Sequence, residues 1–237
     1  YFADPQTQVI GLYLEGVRDG RRLFDLMNSD RATKPVVILK GGRSEQGNAA
    51  AASHTGALVG DQRTWQALAS QTPCVVVASL EEFLDTLLAF QNLTIRPSRP
   101  TQNVVLFGNG GGTGVLATDS FAECGLDIKP FAEQTLTELE ALGLPPGTSV
   151  VNPIDTPVAT LQQEEGWIAG KILDRIYQNG NPDAVVMHLN LASFVGRGDN
   201  DPVNNLIKVA EQSQSSYPGR AHFVLVLRSD GSPALDE

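Results

Sequence analysis

Cysteine, histidine, methionine and tryptophan are all scarce in this 237-residue chain, with 2, 3, 2 and 2 copies. Cys74 and Cys124 stand far apart among apolar neighbours. They read as reduced, packed thiols of a cytoplasmic protein and not as a disulfide framework. The histidines are His54, His188 and His222, and no Cys/His spacing suits zinc, so no metal is expected. Positive charge is also in deficit. Lys and Arg number 17 against 27 Asp and Glu, a formal net charge of −10. Without a basic run to neutralise phosphates, nucleic acid is excluded as a partner, and so is an anionic membrane surface. No apolar stretch approaches the roughly 20 residues of a membrane span. No signal-peptide pattern opens the sequence.

What the chain does have is a globular balance: 41% hydrophobic and 19% charged residues, well away from the composition of disorder. A chain of this size buries roughly 70% of its extended surface, enough for a substantial core. The 23 glycines and 14 prolines predict many tight turns. Apolar runs alternate with amphipathic stretches. Strands are expected at Val9–Leu14, Pro35–Lys40, Cys74–Ala78, Val104–Phe107, Ala184–Leu189 and Phe223–Leu227. Helices are expected at Gly20–Asn28, from Ser79 to about Asn92, and at Val115–Cys124, Glu133–Ala141, Gly166–Gln178 and Pro202–Ser213. Ser79 with Glu82 is a capping box, and Gly125 is a helix-ending glycine. Buried runs separated by helices mean parallel strands with crossover helices. The fold class is therefore α/β: two flavodoxin-like doubly wound units at 1–95 and 103–237. The stretch 96–102 reads as a linker because it carries two prolines and little apolar content. The first unit is expected to be truncated at its N-terminus, since the chain enters a strand almost at once.

Two segments could carry chemistry. After Lys40 come some fourteen small or polar residues, with four alanines that could form a short helix, and then His54 among Ala, Ser, Thr and Gly. A long loop at the carboxyl end of a parallel strand is where open α/β sheets bind ligands. By itself His54 reads equally as an exposed loop histidine. Glu15 ends the first strand and either caps a turn or points into the same crevice. The second segment is Gly108-Asn-Gly-Gly-Gly-Thr-Gly114, between a strand and a helix. Its glycines Gly110, Gly111 and Gly112, with Thr113, can bring N–H groups and a helix dipole to an anion. The spacing is neither a dinucleotide fingerprint nor a P-loop, and a tight strand–helix turn explains it too. Asn152 and Asp155, in Asn-Pro-Ile-Asp, are candidates for lining a pocket or for a structural turn. His188 and His222 read as strand histidines.

These residues carry a resemblance. Gly11-Leu-Tyr-Leu-Glu15-Gly, Lys34-Pro-Val-Val-Ile-Leu-Lys40-Gly-Gly-Arg-Ser and Ser53-His54-Thr55-Gly56-Ala57 resemble the ligase domain of the succinyl-CoA synthetase superfamily, in its ADP-forming acyl-CoA (acetate–CoA) ligase branch. Gly108–Asp119, Val151–Asp155 and Val226–Gly231 resemble the second ligase domain of that family. The resemblance implies an acid–thiol ligase that converts an acyl acid, CoA and ATP into acyl-CoA, ADP and phosphate. It implies that His54 carries the phosphoryl group, that Glu15 holds its ring, and that Gly110–Thr113 is one of two helix N-termini beside the phosphate. It implies CoA, ATP and Mg as substrates of a complete enzyme and no cofactor bound by this chain alone. The expected partners are a CoA-binding Rossmann domain and an ATP-grasp domain or subunit, with a homo-oligomer allowed. Neither partner domain is represented in the sequence, so the chain reads as a part that is inactive alone.

Two other readings remain at this stage. Relatives fused to acetyltransferases use the architecture as a regulatory, ligand-sensing module, which need not keep both Glu15 and His54. A nicotinamide-binding domain would want an acidic residue such as Asp127 on the ribose, but the glycine spacing is wrong for it.

Overall fold

The computed structural model describes residues 1–55, 62–96, 98–194 and 201–228, apart from the side chains of residues 52, 54, 55, 62 and 201. Gly56 and Ala57 of the histidine motif lie outside the described residues, as does Ser229–Gly231 of the last motif. The chain divides into two compact units, Tyr1–Ile95 and Arg96–Glu237.

The first unit runs β1 (Ile10–Leu14), α1 (Gly20–Met27), β2 (Val36–Lys40), α2 (Glu45–Thr55), α3 (Gln62–Gln71), β3 (Val75–Val77) and α4 (Leu80–Asn92). The strands pair in parallel in the order β1-β2-β3. Alternation along the strands gives the sheet two apolar faces. Ile10, Val36 and Ile38 are buried with Met27 of α1 and with Trp65 and Leu68 of α3. Gly11 points the other way, and a Cβ there would lie 2.8 Å from the Phe83 ring and 3.1 Å from Leu87. Its bare surface lets α4 approach β1. The expected capping box on α4 is present, with Ser79 Oγ accepting from Glu82 N at 3.1 Å. One expectation changes. The polar stretch after Lys40 is mostly helix, because its alanine run has the highest helix propensity of any residue. His54 thus sits in the last turn of α2 and not on a loop.

The second unit runs β4 (Val104–Gly108), α5 (Gly111–Glu123), α6 (Glu133–Glu140), β5 (Ile154–Asp155), α7 (Val158–Leu161), α8 (Ile168–Asn179), β6 (Ala184–Asn190), α9 (Asp201–Ser216) and β7 (His222–Arg228). Its strands are parallel in the order β5-β4-β6-β7. The order reverses direction at β4, a topological switch point of the flavodoxin-like kind. The core joins Phe107, Ile154, Met187 and Leu189 of the sheet to Ile172, Leu173 and Tyr177 of α8 and to Leu206 of α9. The fold is α/β with two parallel sheets, as the alternating pattern required. Cys74 is buried, as expected, but Cys124 is exposed, because it falls at the C-cap of α5 on the helix's outer side.

Arg96, Arg99, Gln102 and Asn103 are tied to the second unit, with Asp183 at the centre of the network. Asp183 Oδ2 accepts from Asn103 N at 2.9 Å and Gln102 N at 3.2 Å, and Arg99 Nε donates to Oδ1 at 2.9 Å. Arg96 Nη2 donates to the Asp183 carbonyl at 2.6 Å, and His222 N donates to the same oxygen at 2.9 Å. Asp183 thereby holds the starts of β4, β6 and β7 together. Burial pushes its carboxyl up, but the two backbone N–H donors and the Arg99 guanidinium outweigh burial and leave it below the ordinary value. A lowered folded-state pKa stabilises the protein above the unfolded-state pKa and stops doing so as pH falls through the lowered value. Asp183→Asn should therefore cost about 2 kcal/mol in urea unfolding at pH 7. The gap between parent and variant should close below about pH 4. An equal midpoint at pH 7 would show that this carboxylate does not hold the strand starts.

Candidate functional site

The parallel register sets Leu14 beside Lys40, so Glu15 and Gly41 leave the first sheet at the same carboxyl edge. Tyr13 Oη donates to Glu15 Oε1 at 3.2 Å. The other oxygen, Glu15 Oε2, is buried and accepts no hydrogen bond among the described residues. A buried carboxylate oxygen without a donor costs stability, so it marks a place where a donor is wanted. Lys40 is only 5% exposed. Its ammonium donates to the carbonyls of Gly41 and Gly42 and lies 5.6 Å from the Trp65 ring centroid. Burial pushes the Lys40 pKa down, and the nearby Glu15 carboxylate works against that.

The turn after Lys40 positions α2. Gly42 has φ +69°, a conformation that L side chains resist. A Cβ on Gly42 would lie 3.2 Å from the Gly47 carbonyl oxygen and 3.3 Å from Ala51 Cβ. The turn therefore packs directly against the helix that carries His54. Asn48 of the same helix holds a second buried oxygen with no hydrogen-bond partner among the described residues. The His54 side chain, expected to approach Glu15, lies outside the described residues.

The second sheet builds a crevice at its switch point. Gly108 pairs with His188 of β6 on one side and Asp155 of β5 on the other. A Cβ on Gly108 would overlap the His188 carbonyl oxygen and lie 2.8 Å from two carbons of the His188 ring. Asn109 is buried and bridges to the end of β6: its Oδ1 accepts from Asn190 N at 2.8 Å. Thr156, fully buried, donates to the Gly108 carbonyl through both N and Oγ1, each at 2.8 Å. The glycines named from the sequence are not equivalent. Gly110 is the N-cap of α5 at φ +112°, and Gly111, Gly112 and Thr113 form its first turn. Gly110 N donates to Asp155 Oδ1 at 3.1 Å, and Thr113 N returns to the Gly110 carbonyl at 2.9 Å. The N–H groups of Gly111 and Gly112 have no carbonyl within the helix to take them. A protein carboxylate thus stands at this helix N-terminus already, where the dipole favours it.

The Asn152–Asp155 motif divides. Asn152 is structural: its Oδ1 accepts from Leu106 N at 3.0 Å, and its Nδ2 donates to the Val104 and Lys129 carbonyls at 2.8 and 3.0 Å. It also lines a cavity of about 180 Å³ near the start of β4, away from the switch point. Asp155 belongs to the crevice. Sequence reading missed Asn109, Thr156, His188 and Lys40. Asn109 lay inside the glycine motif and could have been marked. His188 carries no local signal, because only the pairing of β4 with β6 puts its ring against Gly108. Burial pushes the His188 pKa down, with Asp155 acting in the opposite direction. Asp127, weighed as a ribose contact, pairs with Lys129 at 2.9 Å. Among the described residues no group of three or more His, Cys, Asp or Glu could hold a metal ion, and no helix is long and apolar enough to cross a membrane.

Residues 1–90 match the model of the succinyl-CoA ligase like flavodoxin domain. The whole chain is 32% identical to the alpha subunit of ADP-forming acetate–CoA ligase II of Pyrococcus furiosus and spans 50% of it. Over 70% of the chain it is 39% identical to the alpha subunit of ADP-forming acetate–CoA ligase I of the same organism, spanning 35% of that protein. Among solved structures, the dinucleotide forming acetyl-coenzyme A synthetase 1 of Ca. Korarchaeum cryptofilum, in complex with phosphate and ADP, superposes with a TM-score of 0.74 and 25% identity. That match covers 99% of this chain and 48% of the other. The chain therefore spans about half the length of relatives it matches. Residues 1–90 match a succinyl-CoA ligase like flavodoxin domain, and the homologues of the chain are subunits of ADP-forming acetate–CoA ligases.

Proposed function

We propose that this chain is the phosphohistidine-bearing ligase portion of an NDP-forming acyl-CoA synthetase, acting with a CoA-binding Rossmann domain and an ATP-grasp domain or subunit. The whole enzyme would convert an acyl acid, CoA and ATP into acyl-CoA, ADP and phosphate. The observation that supports this best is the buried Glu15 Oε2, which accepts no hydrogen bond among the described residues and lies at the sheet edge, beside the turn that seats the His54 helix. A carboxylate that accepts one ring N–H of His54 fixes the tautomer and leaves the other nitrogen with its lone pair. That nitrogen attacks phosphorus as the P–O bond to the departing group breaks. The same carboxylate steadies the imidazolium charge that results. Phosphoryl transfer asks for positioning and charge stabilisation more than for further covalent help. His188 and His222 are poorer carriers: each is a strand residue among apolar neighbours, where a bulky phosphoryl group has little room.

In the second unit, the Gly111 and Gly112 N–H groups are the donors proposed for phosphate, with Asp155 as a resident competitor on Gly110. Asp155→Asn keeps an oxygen for Gly110 N and removes the negative charge. Phosphate titration followed by amide NMR should show shifts at Gly111 and Gly112 that saturate at lower phosphate in this variant. A weaker response than the parent would argue that phosphate does not bind this turn.

The test of the carrier role uses the complete synthetase. Incubation with labelled ATP should give an acid-labile, base-stable label that maps to His54. His54→Ala should lose both the label and acyl-CoA formation. Glu15→Gln should fold normally and turn over about 10²-fold more slowly, the usual scale for a positioned acid–base partner. Label on another residue, or full turnover by His54→Ala, would overturn the reading and favour a ligand-sensing module.

A further inference from the structure

The first unit holds a cavity that the phosphoryl chemistry does not use. It measures about 200 Å³ and is lined by Lys40, Arg43, Trp65, Gln66, Val77 and Ala78 among others. It opens where β2 and β3 end, so it shares the carboxyl edge with Glu15. Two cations face it in a chain of net charge −10. Arg43 Nη1 donates to the Ala78 carbonyl at 2.7 Å, which holds the guanidinium at the rim; among the described residues its other donors are unspent. The buried Lys40 ammonium has three donors, and among the described residues two of them go to the Gly41 and Gly42 carbonyls. Among the described residues neither side chain forms an ion pair. The Lys40 ammonium hydrogen-bonds only to neutral carbonyls among the described residues, and Glu15 acts on it from a distance without pairing, so it can still take an anion.

The rest of the wall selects which anion. The Trp65 ring, Val77 and Ala78 are apolar and can cover a few carbon atoms. Inorganic phosphate would bring a second charge and no apolar body. A carboxylate with a short hydrocarbon tail satisfies both ends of the cavity. We propose that this cavity binds a small organic acid, with Lys40 and Arg43 holding its carboxylate and Trp65 covering its carbon chain. The acid is then the one the synthetase activates, and only that last assignment rests on the proposed function.

The chain has two tryptophans, so Trp167→Phe leaves Trp65 as the sole reporter. In that background, isobutyrate added at constant ionic strength should change the fluorescence saturably, in the millimolar range. Lys40→Met should weaken binding about tenfold or more, since charge-assisted hydrogen bonds are the strong ones. Arg43→Gln, at an exposed rim position, should weaken it several-fold and keeps the test valid if Lys40→Met does not fold. Phosphate and chloride should give no saturable change. No saturation by isobutyrate, an equal response to phosphate, or a response untouched by Arg43→Gln would overturn the proposal. No ATP is present in this measurement, so its failure leaves labelling of His54 intact. Conversely, isobutyrate binding by a chain whose His54 takes no label would separate the pocket from the carrier role.

Discussion

Gly108 has no room for a side chain, and the second crevice depends on that. Its β6 neighbour, His188, occupies the space where a Cβ would project, through both its carbonyl oxygen and its ring. Any side chain at this position would push β4 from β6 or turn the imidazole away. With the strands close, Asn109 reaches Asn190 and Thr156 reaches the Gly108 carbonyl. The ends of β4, β5 and β6 are then fixed relative to one another, and Asp155 falls onto the N–H of Gly110. The geometry of the glycine-rich turn follows from this strand contact more than from the glycines in the turn.

The first unit solves a similar problem with different parts. Gly41 and Gly42 let the chain fold back between Tyr13 and α2, and Lys40 laces the turn through two carbonyls. Charge is distributed with some economy there. Lys40 and Glu15 are near enough to influence each other without forming an ion pair among the described residues. Each keeps unused hydrogen-bonding capacity: a donor on Lys40 and the buried Oε2 on Glu15. A close salt bridge would have consumed both. Leaving them apart keeps both groups' remaining capacity open at the carboxyl edge, at some cost in stability.

The amino edges of the strands serve stability instead. Asp183 gathers donors from Gln102, Asn103 and Arg99, and its own carbonyl receives Arg96 and His222. Such a saturated carboxylate has nothing left for a ligand. The second unit thus separates its roles along the strand direction, with a satisfied network at one end of the sheet and the switch-point crevice at the other. This division is common in open α/β sheets, where ligands sit outside the carboxyl ends.

Local features were legible in the sequence because their causes are local. Apolar runs marked the strands, Ser79 and Glu82 marked the start of α4, and the small residues after Phe107 marked a turn into a helix. Glu15 and His54 were singled out through a motif, and a motif carries no geometry. The alanine-rich stretch was only half legible, since its polar neighbours hid an 11-residue helix. What tertiary structure alone decided were contacts between residues distant in sequence. Asp155 meets Gly110, which lies 45 positions earlier, only because β5 pairs with β4. His188 lies against Gly108 only through the parallel register of β4 and β6. Lys40 became a buried cation facing a cavity because α3 brings Trp65 over the end of β2. No periodicity within a segment reports which strand becomes its neighbour, so these contacts had to wait for the fold.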